Sequence, residues 1–350
     1  MFKIGPRTIG ADQPVFIIAE LSANHLQDYD LAVKTIKAMK EAGADAVKLQ
    51  TYTPDTITLN EKNEYFQIKQ GTLWDGKTLY QLYQEAYTPW DWQPKLKQLA
   101  EELGLICFSS PFDNSAVDFL EKMNVPAYKI SSFEIADVSL IEYAASKGKP
   151  MILSTGIASL QEIEEAVAAC KRAGNDQIAL LKCASAYPAP AKDMNLRTIL
   201  DLKERFGSVV GVSDHTLGTA AAVASIALGA CLIEKHFILD RKLGGPDAGF
   251  SLEPAEFTKM VSDIREAEAA LGQVSYELSD QVKRNRIFAR SLFAVKDIEP
   301  GEIVTDEHIR SVRPGYGLAP KHLKDILGKK ARTKILKGTP IAAEMIEVKL

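Results

Sequence analysis

With 350 residues, 46% of them hydrophobic and 25% charged, the chain has the make-up of a folded protein with room for one large domain and a small one. A net charge of −4 and the lack of any run of six basic residues argue against a nucleic-acid surface or a polybasic membrane anchor. MFKIGPRTIGADQP holds no apolar signal core and no segment reaches the ~18 apolar residues of a spanning helix, so a cytoplasmic location without membrane contact is expected.

In chain order, short β-rich runs alternate with amphipathic helical stretches: VFIIAE, then LAVKTIKAMKEAG, then DAVKLQ, followed by LICFSSP, AYKISSFE, MILSTG, IALLKCASAY, VGVSDHT and LIEKHF. That makes eight strands, and their continuous apolar character is what strands covered on both faces show. Eight such units closing on themselves predict a (β/α)8 TIM barrel. The run QEIEEAVAACKRAG carries acids early, bases late and a terminal glycine, as a helix prefers. Between the second strand and the helix containing Pro94 to Leu103 lies a long insertion, Thr51 to Thr88, rich in Tyr, Thr and Trp, and a loop of that length at the catalytic face is expected to have a function. The barrel is expected to span residues 1–272, ending with AEFTKMVSDIREAEAALG. A charged linker follows over 273–286, and residues 287–350 form a second, small β-rich domain of short β runs and PG turns. Cys107, Cys170, Cys183 and Cys231 lack CxxC spacing and read as buried thiols.

Two of the strand runs end in histidine. In a parallel β/α barrel the carboxyl ends of neighbouring strands converge on one pocket, so His215 and His236 are candidates to hold a divalent metal together. The alternative is that both are satisfied core histidines. Lys48 in DAVKLQ and Lys129 in AYKISSFE aim at the same pocket, and a metal with two cations suits an anionic substrate. Strand alternation puts Glu234 on the face of His236 and turns Asp214 away from His215, which makes Glu234 the better candidate either to support a metal ligand or to act in catalysis, and Asp214 a structural carboxylate.

AELSANH, DAVKLQTY, YKISSFE, STG, SAYPAP, VSDHTLG, EKHF, GGPDAGFSLEP and RPGYGLAP together resemble the sialic acid synthase family, over essentially the whole chain. The resemblance implies a TIM barrel followed by a C-terminal antifreeze-like (SAF) domain. It also implies condensation of phosphoenolpyruvate with an N-acetylated amino sugar, which releases phosphate and gives a nine-carbon 2-keto acid. The segment GTLWDGKTLYQLYQEAYTPWDW is similar to the branch whose acceptor is 2,4-diacetamido-2,4,6-trideoxy-L-altrose; a mannose-configured acceptor is the alternative.

Carbon 3 of phosphoenolpyruvate is a weak nucleophile, so the aldehyde it attacks needs polarising. Two histidine ligands with open positions favour Mn2+ or Mg2+ over closed four-coordinate zinc. For phosphoenolpyruvate the resemblance points to Lys48, Ser110, Lys129, Ser132, Ser154, Ser185 and Ser213, and for water activation to Glu20, with neighbouring Asn24 and His25. Asn24 and His25 have the alternative reading of a start to the following helix, equally good for Asn24 given its capping propensity. For the sugar the resemblance points to Gln50, Glu134, Tyr187 and Asp247, joined by Phe288 and Arg313 reaching over from the partner in a domain-exchanged homodimer. Two departures stand out: Ser185 occupies a position where the family has asparagine, and Ala248 follows Asp247 where the family commonly has histidine. Trp74, Tyr80, Tyr83, Trp90 and Trp92 are expected to divide between walling the sugar pocket and packing the insertion. A metal-dependent aldolase or a deoxyheptulosonate-type synthase would share the barrel but not need RPGYG, and a binding module for ice or carbohydrate would not need the His, Lys and Ser set.

Overall fold

The computed structural model describes residues 2–348, which divide into two compact units, Met1–Gly272 and Gln273–Leu350. The first unit opens with a hairpin, β1 (Phe2–Ile4) and β2 (Arg7–Ile9). Phe2, Ile4 and Ile9 are buried in the barrel's core, yet the three-residue strands leave no periodicity in the sequence to predict the hairpin. The eight expected strands follow: β3 (Phe16–Glu20), β4 (Ala46–Thr51), β5 (Ile106–Pro111), β6 (Tyr128–Ile130), β7 (Met151–Ser154), β8 (Ile178–Cys183), β9 (Val209–Ser213) and β10 (Leu232–His236). They form a closed parallel barrel in sequence order, with β10 pairing back onto β3. The predicted barrel is therefore present.

Each strand is followed by a helix, from Tyr29–Glu41 after β3 to Pro254–Leu271 after β10. Helix Leu160–Arg172 begins with a capping box in which Ser159 and Glu162 satisfy each other's backbone amides. Helix Tyr29–Glu41 is capped by Asp28, whose side chain accepts from Leu31 N, so Asn24 and His25 do not start it. Parallel connections of this kind bring every strand's carboxyl end to one face.

Two expectations need correction. The insertion after β4 is not simply a loop: it contains a short helix, Pro54–Ile57, and a two-turn helix, Leu79–Ala86, entered through a Thr78/Gln81 capping box. The charged stretch after Gly272 includes the helix Asp280–Asn285, capped by Ser279. In the second unit β11 (Ser291–Ala294) and β12 (Ile309–Val312) form an antiparallel pair, supplemented by isolated bridges such as Ile298 with Ile335. Leu292, Ile298, Val304, Ile326, Ile335 and Ile341 form a separate small core there. No helix among the described residues is long and apolar enough to cross a membrane.

Candidate active site

The carboxyl ends of the barrel strands surround a cavity of about 920 Å3, its open mouth included. Register explains which side chains meet inside it. His236 on β10 stands beside Glu20 on β3, and Glu20 beside Lys48 on β4. One continuous polar row results. His236 Nε2 lies 3.1 Å from Glu20 Oε2, and Lys48 Nζ donates to Glu20 Oε2 at 2.8 Å and to Glu234 Oε1 at 2.7 Å. Glu234 Oε1 also accepts from Ser213 Oγ at 3.0 Å and faces Lys129 Nζ at 3.3 Å. Gln50 Nε2 donates to Glu20 Oε1 at 2.8 Å and to Ser22 Oγ at 2.9 Å, while Ser22 Oγ donates to Asp247.

The electrostatics follow from burial in competition with these partners. Burial alone would raise the Glu20 carboxyl, but His236, Lys48 and Lys129 hold it well below the usual carboxylate range. Glu234 is likewise lowered, with Lys129 and Lys48 overcoming its burial. Lys48 goes up despite burial because Glu20 and Glu234 flank it. Lys129 goes down: burial outweighs its more distant contact with Glu234, and Lys48 adds repulsion. Of the two lysines, Lys129 thus has the charge most in want of an anion. His215 is pushed down to about 3 by burial and by His236, so at neutral pH it is a neutral imidazole able to ligate.

Among the described residues six buried side-chain polar atoms lack a hydrogen-bond partner, and four of them, Ser154 Oγ, Glu134 Oε2, Glu234 Oε2 and His236 Nδ1, belong to residues lining this one cavity. Buried polar atoms are nearly always satisfied, so their concentration here marks a ligand site. The same test fits a divalent cation. His215 and His236 stand with ring centroids 5.3 Å apart, and His215 Nδ1 lies 3.2 Å from the Ala184 carbonyl oxygen, which leaves Nε2 for a metal. No three His, Cys, Asp or Glu side chains among the described residues are arranged to hold an ion by themselves.

The expected residues sort plainly. Glu20, Lys48, Gln50, Lys129, Ser132, Glu134, Ser154, Tyr187, Ser213, His215, Glu234, His236 and Asp247 all line the cavity. His25 does not. It packs edge-on to Trp92 at 5.8 Å, its Nε2 meets Thr88 Oγ1 at 3.1 Å, and its Nδ1 accepts from Gln27 N at 3.1 Å, so both ring nitrogens are taken. His25 ties the β3 loop to the insertion and does not face the cavity. Ser110 is fully buried outside the lining and accepts from Ser131 Oγ at 3.1 Å. Ser185 stands behind Ser132, with their hydroxyl oxygens 2.7 Å apart. That close approach requires Gly156, where an added Cβ would fall 2.2 Å from Ser185 Oγ and 2.7 Å from Ser132 Oγ. Phe288 and Arg313 belong to the second unit, where both are exposed.

Of the aromatic group, Trp74 and Tyr83 line the cavity. Trp90 packs on Phe119, Trp92 on Tyr29, and Tyr80 bonds Asp55. Several lining residues had no signal in the sequence. Phe250 lies 4.9 Å from His236 and 5.1 Å from Tyr187, ring to ring, and Ser22 anchors Asp247; each meets its partner only through the closed barrel.

Glu134 invites a direct test. Burial pushes its carboxyl up to about 7, against the opposing charge of Lys129. A folded-state value above the unfolded 4.5 means that the folded protein binds more protons between those values, so this group's contribution falls as pH rises through that window. Glu134→Gln should therefore raise Tm at pH 8 and leave it nearly unchanged at pH 4. Thermal scans at the two pH values check this, and equal shifts at both would contradict it.

A two-histidine, two-lysine, carboxylate-lined cavity on the carboxyl face of a TIM barrel defines a class of barrel enzyme that handles small anions, and comparison with known proteins narrows the class. Residues 35–276 match the NeuB family and residues 289–347 the SAF domain; the chain belongs to the NeuB family. It is 49% identical over 336 residues to the pseudaminic acid synthase of Helicobacter pylori, spanning 96% of this chain and 98% of that one. It is also 49% identical to the pseudaminic acid synthase of Campylobacter jejuni serotype O:2, over 93% of this chain and 95% of that one. Among solved structures, the N-acetylneuraminic acid synthetase of Leptospira borgpetersenii in complex with citrate superposes with a TM-score of 0.71 at 33% identity, covering 81% of this chain and 94% of that one.

Proposed function

We propose that the protein is a pseudaminic acid synthase, a transferase condensing phosphoenolpyruvate with 2,4-diacetamido-2,4,6-trideoxy-L-altrose. The observation that carries this reading is the cavity itself: buried Lys129 and Lys48 beside unpartnered Ser154 and Glu234 atoms, with His215 and His236 across one strand boundary. The 49% identity to synthases of that name supports the choice of acceptor.

In this reading Lys129, Ser154 and Ser213 hold the carboxylate and phosphate of phosphoenolpyruvate, with Lys48 keeping Glu234 and Glu20 in place. Ser132, braced by Ser185, and Ser110, braced by Ser131, support that pocket from behind. His215 and His236 hold the divalent ion, Mn2+ or Mg2+, which when bound acts as a Lewis acid on the acceptor aldehyde. Carbon 3 then bonds to the aldehyde carbon as the aldehyde C=O opens to an oxygen that becomes a hydroxyl. Water adds at carbon 2, one of its protons passing through a carboxylate of the Glu20–Glu234 pair to that new hydroxyl, and the carbon–oxygen bond to phosphate breaks as the second proton leaves with the phosphate and carbon 2 becomes the ketone. Glu20 already accepts from Gln50 and Lys48 through both oxygens, whereas Glu234 Oε2 has no partner, which favours Glu234 as the group that orients the water.

Gln50, Glu134, Tyr187 and Asp247 take the sugar's hydroxyl and amide groups. Ile57, Leu82, Ala86 and Phe112 give the same cavity an apolar side suited to a 6-deoxy sugar carrying acetyl methyls. Residues 1–272 carry the chemistry, and the SAF domain over 287–350 serves as the lid of a partner subunit in a homodimer. Phe288 at 65% exposure, with Val274 and Tyr276 more than 90% exposed, is the kind of apolar surface such an exchange would cover. The enzyme acts in the cytoplasm.

The decisive assay measures inorganic phosphate from phosphoenolpyruvate with three acceptors: the 2,4-diacetamido altrose, its mannose-configured isomer and N-acetylmannosamine. Turnover should be fastest with the altrose sugar. Faster release with either other acceptor would make this a legionaminic or N-acetylneuraminic acid synthase, and no release with any of them would refute the synthase reading.

A further inference from the structure

Behind the two candidate metal ligands lies a second ion pair that the reaction does not touch. Lys235 and Asp214 have wholly buried side chains, and Lys235 Nζ donates to Asp214 Oδ2 at 2.7 Å and to the Thr216 carbonyl at 2.6 Å. Lys235 immediately precedes His236, and Asp214 and Thr216 flank His215 on either side. By strand alternation both charged side chains point away from the cavity while both histidines point in.

The ladder between these strands ends early. β9 and β10 are in register through Ser213 with Glu234, and the Asp214 N–H still reaches the Glu234 carbonyl at 2.9 Å. Beyond that point the His215 segment is held to the other neighbour instead, with the Ala189 N–H donating to the His215 carbonyl at 3.0 Å. Lys235 supplies what the ladder lacks: one ammonium grips the residues on both sides of His215 and fixes them to the strand that carries His236. Asp214 Oδ1, accepting from Thr216 N at 2.8 Å, closes the turn around the histidine. A buried ion pair brings little net stability compared with well-packed apolar side chains, so a positioning role accounts for its presence better than stability does.

We propose that Lys235 and Asp214 are positioning residues that set the distance and orientation between His215 and His236 for a divalent cation. The inference rests on reading those histidines as the metal ligands. The experiment is Mn2+ titration, followed by electron paramagnetic resonance, of the wild type, Lys235→Met, and the charge-free pair Lys235→Met/Asp214→Asn. Phosphoenolpyruvate affinity of the metal-free proteins is measured alongside by calorimetry. Both variants should bind Mn2+ at least about tenfold more weakly, as loss of an outer support of a metal ligand does, with phosphoenolpyruvate affinity changed less than about twofold.

Unchanged Mn2+ affinity in either folded variant overturns the proposal. Equal loss of both affinities also overturns it, since general loosening of the barrel would act on both. If Lys235→Met does not fold, the charge-free pair decides the matter; failure of that pair to fold as well would make the two residues fold determinants and reject a positioning role. Should the wild type bind no Mn2+, or bind it undiminished in His236→Ala, the metal assignment falls and takes this proposal with it. Tight wild-type binding that depends on His236 but not on Lys235 rejects the positioning role alone.

Discussion

Lys129→Ala should lower kcat/KM for phosphoenolpyruvate by on the order of 10² or more, about 2.7 kcal/mol of transition-state stabilisation. The side chain is 1% exposed and its one carboxylate contact, Glu234 Oε1 at 3.3 Å, is shared with Lys48 at 2.7 Å, so most of its charge remains to be offset by a ligand. Burial already pushes the ammonium down from its ordinary value, and a bound phosphate or carboxylate would reverse that cost. Removing it also acts on Glu234. That carboxyl is held low, against its burial, by Lys129 first and Lys48 next, so without Lys129 it titrates higher. The acidic limb of the pH–rate profile should therefore move to higher pH in the variant. Phosphate-release kinetics over a range of substrate and pH measure both effects, and an unchanged kcat/KM would put Lys129 outside the site.

How far the sequence reveals this depends on whether a residue's role is set by its own strand or by its neighbours. The barrel is legible because continuous apolar runs such as IALLKC and LIEKH are long enough to register, and alternation within LIEKHF is enough to pair Glu234 with His236 on one face. Three-residue β1 and β2 fall below that threshold. The helix Leu79–Ala86 lies inside an apparent loop, although its T-x-x-Q box, Thr78 to Gln81, is a readable start signal. His25 misleads because it is five residues from Glu20 in the chain; the tight turn after β3 sends it toward Thr88 and Trp92. Ser22, Phe250 and Lys235 are invisible to any local reading, since each is defined by a partner 14 or more residues away. Phe288 and Arg313 enter through the resemblance alone, and both are exposed in the second unit.

His236→Ala should abolish turnover, and it offers a way to test assembly as well. The imidazole is 6% exposed, lies 3.1 Å from Glu20, packs on Phe250 at 4.9 Å, and has a buried Nδ1 without a partner. Its removal takes away one of two candidate ligands while leaving the β10 ladder to β3 intact, so the variant should fold, fail to bind Mn2+ tightly, and match the wild type after chelation. Full activity in metal-free wild-type protein would sink the assignment. Arg313→Ala carries a lesion in the other unit. A planar guanidinium suits an acetamido carbonyl and Phe288 suits its methyl, so in a domain-exchanged dimer this variant too should turn over sugar poorly. Mixing the two inactive proteins under conditions of subunit exchange then gives heterodimers in which one pocket combines both lesions and the other has none. At equal ratio about a quarter of all pockets are whole, and phosphate release should recover to about that fraction. If exchange is demonstrated by tagged subunits and activity stays at zero, Arg313 does not act in trans; if Arg313→Ala alone is fully active, it does not reach the sugar at all.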